Sequence, residues 1–256
     1  MITNLLSDKA GAAYNRYSLF TDALKSIHRG AMLRSDFGSA SLTGKLRSQA
    51  TLQGSTFLDS ELSQARADIQ EIAEIARTVT LQEISSNDTS ELTDAIYEHL
   101  DASYDYFQTE LVVQQTRDIA TLQRAMQRAG LEVAIAARSK GKSHRSAVLE
   151  YAFGNKTDVE FFFHDRSSRK YESRLFVRSL YRQTLLSVYN ETVLFTLADH
   201  GLTRAVVEHH SPESEFHGLE IALSSGSELP TYSEIRDKVF HPNANAYLRM
   251  DADVSA

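Results

Sequence analysis

The chain contains no cysteine. A disulfide framework, thiolate zinc or iron–sulfur sites and a cysteine nucleophile are therefore excluded, and any metal would rest on His, Asp, Glu or main-chain oxygen. Proline is nearly as scarce. Pro212, Pro230 and Pro242 all lie in the last 45 residues, and neither glycine nor proline interrupts the stretch between Gly54 and Gly130. A proline costs about 3 kcal/mol and a glycine about 1 kcal/mol inside a helix, so this distribution predicts long helices first and a turn-rich part last. No run approaches about 18 uninterrupted apolar residues, and the N-terminus lacks a basic stretch followed by an apolar one. A chain made and kept in a cytoplasm, with no membrane partner, is expected. Walker, GxGxxG, GxSxG and HExxH patterns are missing too, which leaves nucleotide-binding, hydrolase-elbow and zincin chemistry without a motif.

What remains is ordinary globular composition: 256 residues, 42% hydrophobic and 24% charged. That length is ample for a buried core. Leu58, Leu62, Ala65, Ile69, Ile72, Ala76 and Val79 alternate in spacings of four and three, the apolar seam of a long amphipathic helix. Ser55 or Thr56 is the expected cap, with Asp59 and Glu61 in the first turn. A loop at Ser85-Ser86-Asn87-Asp88 follows, and Asp88 with Glu91 forms a candidate capping box for the next helix. Its apolar face runs Leu92, Ile96, Leu100, Tyr104, Phe107, Leu111, then Ile119, Leu122, Met126 and Ala129, ending at Gly130. The phase slips near 101–104 and 112–118, so the pattern fits one bent helix or two in succession.

Beyond Gly141 the pattern changes. Ser143 can cap a short helix through Tyr151, and Val159 to His164 reads as an aromatic-rich strand. A long helix from about Ser173 to His200 stops at Gly201. Strands are expected at Thr203 to His209, Gly218 to Leu223 and Tyr247 to Met250, with turns at Ser211-Pro212-Glu213-Ser214, Gly226 to Pro230 and Phe240 to Ala246. The fold class is α+β and predominantly helical, with a long N-terminal helical hairpin or bundle over 1–137 and a small α+β module over 138–256.

The net charge of −7 hides an uneven division: +4 over 1–56, −10 over 57–137, +6 over 138–182 and −7 over 183–256. In the basic segment, Arg138, Lys140, Lys142 and Arg145 form a flexible loop and are candidate contacts for a DNA backbone, which requires only accessible positive charge. The same face can instead pair with the chain's own acidic helices or an acidic partner. His209, His210, His217 and His241 share the turn-rich module with Glu208, Glu213 and Glu215, a donor set able to hold a divalent ion. Adjacent strand residues point to opposite faces, so His209 and His210 cannot both serve one site. The plainer reading has these histidines hydrogen-bonding turns and strand ends.

Asp165 to Arg169, Phe176 to Thr184, Asn190, Gly201 to His210, Gly218 and Phe240-His241-Pro242-Asn243 together resemble the C-terminal module of tailed-phage minor capsid proteins, the head-morphogenesis group similar to the phage Mu F protein. The resemblance covers about a third of the chain. Its framework residues here are Arg182, Asn190, Gly201, His210, Gly218, His241, Pro242 and Asn243. The family's closing Cys and His correspond to Ala244 and Ala246, and its paired cysteines after the strand give way to Ser211 to His217. The resemblance therefore implies a non-enzymatic virion protein with no catalytic residue, metal or cofactor. Such a protein would be assembled in the host cytoplasm and sit in several copies at the head or head-tail junction, against the portal or major capsid protein. Alternatives are a histidine-centred metal enzyme acting on nucleic acid and a helical head-to-tail adaptor. The Phe240 to Asn243 segment is expected to act as a structural clasp, with His241 oriented by His210 or by a carbonyl near the end of that strand.

Overall fold

The computed structural model describes residues 2–89, 91–154, 159–164, 167–241 and 244–251. Helix accounts for 69% of them, and the predominantly helical α+β class is as expected. The elements in chain order are α1 (Ile2–Met32), α2 (Ala40–Glu83), α3 (Asp94–Ser139), α4 (His144–Gly154), β1 (Phe162–His164), β2 (Lys170–Glu172), α5 (Ser173–Asp199), β3 (Arg204–His209), β4 (Glu220–Ala222), α6 (Tyr232–Val239) and β5 (Ala246–Met250). No helix among the described residues is long and apolar enough to cross a membrane.

Several boundaries differ from the sequence expectation. Helix α2 begins at Ala40, well before Ser55 and Thr56. Its start is capped by Ser39, whose hydroxyl accepts the Leu42 N–H at 3.1 Å, while Thr56 lies mid-helix and its hydroxyl donates back to the Leu52 carbonyl at 3.1 Å. Helix α3 starts at Asp94 rather than at a box of Asp88 and Glu91, because the Asp88 carboxylate is turned to Arg77 and to the Thr89 N–H. It is one continuous helix that passes through Gly130 and stops at Gly141, which takes a φ of +58° while the Lys142 N–H returns to the Ala137 carbonyl. Helix α6 was not anticipated. Its signal was in the sequence: Thr231 and Glu234 stand three apart, and the Glu234 carboxylate accepts the Thr231 N–H at 2.7 Å.

Other expectations hold. The Ser143 hydroxyl accepts the Ser146 N–H at 3.2 Å at the start of α4. Gly201 ends α5 with a φ of +73°; its N–H meets the Ala198 carbonyl at 2.9 Å and the Leu202 N–H meets the Leu197 carbonyl at 3.0 Å. These are the paired bonds of a Schellman stop. Ile69, Ile72, Ala65 and Ala76 of the predicted seam are buried, and Leu62 is half-buried.

The chain divides into two compact units, each gathered from separated segments: Met1–Ala13, Leu62–Thr109 and Arg178–Ala256 in the first, Tyr14–Glu61 and Glu110–Val177 in the second. In the first unit, β3 lies between β4 and β5 in an antiparallel sheet. Strands β3 and β5 alternate, burying Ala205 and Val207 on one, Ala246, Leu248 and Met250 on the other. The free edge of β5 is covered by side chains: the Leu248 N–H donates to the Asn190 carboxamide oxygen and the Met250 N–H to the Glu83 carboxylate, both at 2.9 Å. Satisfying these N–H groups removes the exposed ladder on which another strand would pair.

The second unit packs aromatic rings at its centre, with Phe20 stacked on Phe57 at 4.9 Å and Tyr17 edge-on to both. Gly38 and Gly130 bring their backbones together so closely that a Cβ on Gly130 would stand 3.0 Å from the Gly38 Cα. Strands β1 and β2 pair antiparallel, and Phe163 stacks on Phe176 at 4.2 Å.

Candidate functional site

Three polar side chains of helix α5 hold the C-terminal segment in place. The Arg182 guanidinium, 7% exposed, donates to the Ala244 carbonyl at 2.7 Å and to the Asn245 side-chain oxygen at 3.2 Å. Gln183 donates to the Phe240 carbonyl at 3.1 Å, and Phe240 itself is fully buried. Two turns on, Asn190 accepts the Leu248 N–H. Arg182 and Asn190 are thus spent on fastening chain to chain, and Gly201 and Gly218, with φ of +73° and +77°, serve a helix stop and a turn.

His210 meets the same segment through its backbone, its N–H donating to the Asn245 carbonyl at 2.8 Å. His241 is exposed, and its carbonyl accepts the Ala244 N–H at 2.8 Å. Pro242 and Asn243 lie outside the described residues. The His209 N–H donates to His217 Nδ1 at 3.2 Å, and His209 Nδ1 stands 3.0 Å from the Ser211 nitrogen. Both rings therefore order the turn at Ser211. Among the described residues, no three His, Asp or Glu side chains gather in a way that could hold a metal ion.

The basic segment is less open than a flexible loop. Lys140 and Lys142 both bind the Glu150 carboxylate at 2.7 Å, which holds that carboxyl at about 2. Arg138 lies at the end of α3 and Arg145 in the first turn of α4; both are exposed, and Arg145 faces solvent beside His144, whose Nε2 stands 2.7 Å from the Phe37 carbonyl.

Among the described residues Glu61, Asp68, Asp118 and Asp251 are buried carboxylates, and Asp68 and Asp118, both missed by the sequence reading, each gather three donors. In the first unit Asp68 accepts Lys9 Nζ at 2.7 Å, the Tyr181 hydroxyl at 2.5 Å and the Gln64 amide at 3.0 Å. Burial pushes its pKa up, but these bonds and the Lys9 charge outweigh it, leaving the carboxyl below its ordinary value. In the second unit Asp118 accepts the Tyr17 hydroxyl at 2.7 Å, the Ser173 hydroxyl at 2.9 Å and the Gln114 amide at 3.0 Å. These three donors are neutral, and burial raises the Asp118 carboxyl to about 6. A signal was available: Asp118 falls one heptad after Leu111, inside the 112–118 phase slip, where Gln114 and Gln115 are buried too.

Arg182, Gln183, Asn190, Asp68 and Asp118 bind neighbouring elements, whereas Arg138, Arg145 and His241 are exposed. No family model, curated protein or solved structure matches this chain.

Proposed function

We propose that this chain is a non-enzymatic structural protein of a tailed-phage virion, a minor capsid protein acting near the portal in head assembly, genome packaging or delivery. The observation that carries the reading is the use to which the motif residues are put. Arg182, Asn190, Gly201 and Gly218, which bear the resemblance, build the α5 and β-sheet module. Polar ties between α1 and α2 support the same reading within each unit: Lys9 with Asp68 in the first and Arg16 with Glu61 in the second fasten helices that would meet sister subunits, portal or major capsid protein. Arg138 and Arg145 supply positive charge for non-specific DNA contact.

The test is mass spectrometry with cross-linking on tailed particles purified from the host that makes this chain. Peptides of the chain at constant stoichiometry, cross-linked to portal or major capsid protein, are expected. Particles of full infectivity that lack it would overturn the proposal.

A further inference from the structure

We propose that a groove in the first unit, between α3, α5 and α6, is a binding site for a single carboxylate group. The groove encloses about 420 Å³, within the range of about 300–1,000 Å³ usual for small-ligand sites. Its walls are His99 and Ser103 of α3, Gln183, Thr184 and Ser187 of α5, and Arg236 of α6.

Two observations point to a ligand site. The Thr184 hydroxyl belongs to a residue only 6% exposed, and neither it nor the Gln183 side-chain oxygen, also buried, has a hydrogen-bond partner. A buried helical threonine ordinarily donates back one turn, as Thr196 does to the Thr192 carbonyl at 2.8 Å; Thr184 and Thr192 do not, and of these two Thr184 lines the groove. Orphaned buried polar atoms are costly enough that native proteins rarely keep them without a ligand, ion or water. In the same groove the Arg236 guanidinium donates one bond, to the Ser187 hydroxyl at 3.2 Å, and no carboxylate among the described residues lies within ion-pair distance of it. Its remaining N–H groups are available in the fork geometry that matches a carboxylate.

The charge of the groove selects the ligand class. His99 approaches the Ser103 hydroxyl at 3.3 Å, and burial together with repulsion from Arg236 lowers its pKa, which disfavours a second cation in the groove. Glu191 of α5, whose carboxyl is raised by burial, feels the Arg236 charge from beyond contact distance. One fixed cation ringed by hydroxyls and an amide suits a planar monoanion. A phosphate dianion would want a second cation or a nest of main-chain N–H groups, which no groove residue supplies. The carboxylate would bridge Arg236 and the Thr184 hydroxyl, which then gains an acceptor.

The carboxylate can come from a free organic acid or from a Glu side chain of a partner, and one experiment separates them. The full chain is titrated with butyrate, with a blocked Ala-Glu-Ala tripeptide and with inorganic phosphate, monitored by calorimetry and by the His99 ring resonances in NMR. Saturable millimolar binding of butyrate or of the tripeptide is expected, with a rise in the His99 pKa because an anion now lies beside it. Butyrate alone assigns a small-molecule site; the tripeptide alone assigns a docking point for an acidic partner. Arg236→Gln should weaken binding at least tenfold. Thr184→Val, which removes the orphan hydroxyl at nearly constant volume, should weaken it several-fold without lowering the melting temperature. The proposal is overturned if neither carboxylate binds, if both variants bind as the parent does, or if phosphate binds more tightly than either.

Discussion

The Tyr17 hydroxyl donates to the Asp118 carboxylate at 2.7 Å in a site where the aspartate is fully buried, and the other carboxylate oxygen is shared by Ser173 and Gln114. With neutral donors only, ionised Asp118 is poorly compensated for its lost hydration, which raises its pKa from 3.8 to about 6. The folded chain therefore holds this proton to higher pH than the unfolded chain does. The contribution of Asp118 is complete below about pH 4, is lost as pH rises towards about 6, and is constant above; its size is on the order of 3 kcal/mol. Asp118→Asn keeps the shape, can still accept from Ser173 and Gln114, and can donate to Tyr17. Urea unfolding from pH 4 to 7 should show that the parent loses stability relative to this variant as pH rises. Parallel profiles would disprove the assignment.

Gly130 and Gly44 make a matched pair. Both lie in helices, but Gly44 has nothing within 4 Å of an added Cβ, whereas Gly130 faces the Gly38 backbone at 3.0 Å. Gly44→Ala should stabilise by about 1 kcal/mol through helix propensity. Gly130→Ala must force two backbones apart and should destabilise by about 1–3 kcal/mol despite the same propensity gain. Equal effects in chemical denaturation would mean that the close approach does not matter.

Ile69 is 2% exposed on the α2 seam. Ile69→Asp places a carboxylate where no cation awaits it and should cost at least about 3 kcal/mol, read as a large fall in melting temperature. A melting temperature near that of the parent would contradict the packing described for the seam.

Asn190 and His241 both belong to the C-terminal motif, yet Asn190 is completely buried and His241 is exposed. Asn190→Ala leaves the Leu248 N–H without its acceptor and should cost about 2 kcal/mol, with faster amide exchange at Leu248. His241→Ala should lower stability by less. The reverse order would place the fastening of the clasp on His241 rather than on α5.

If the basic segment contacts DNA as proposed, Arg138→Ala with Arg145→Ala should weaken binding to duplex of any sequence and reduce the salt slope by about 2. Lys140→Ala with Lys142→Ala should do less, because Glu150 already neutralises part of that charge. Equal loss from the two double variants, in titrations at several salt concentrations, would show that the Glu150 pairs open on DNA.

Local signals in the sequence determined most of α2, α3 and α5, the Gly201 stop, the Ser143 cap and the order of the C-terminal strands, whereas α1 and α6 were not read from it. Apolar periodicity, a left-handed residue and a capping hydroxyl each act within one or two turns of chain. Helix starts were harder to place, because the Asp88 that would cap α3 is drawn to Arg77, a partner eleven residues away in sequence. Only the tertiary structure decided the fate of the polar residues that fall on apolar faces. Whether burial raises the carboxyl, as at Asp118, or is outweighed, as at Asp68, depends on which of them meets a lysine, and Lys9 is 59 residues from Asp68 in the chain. The groove of Arg236 and Thr184 has the same character: three separate helices must converge before a hydroxyl becomes buried without a partner, and periodicity within one helix carries no record of its neighbours.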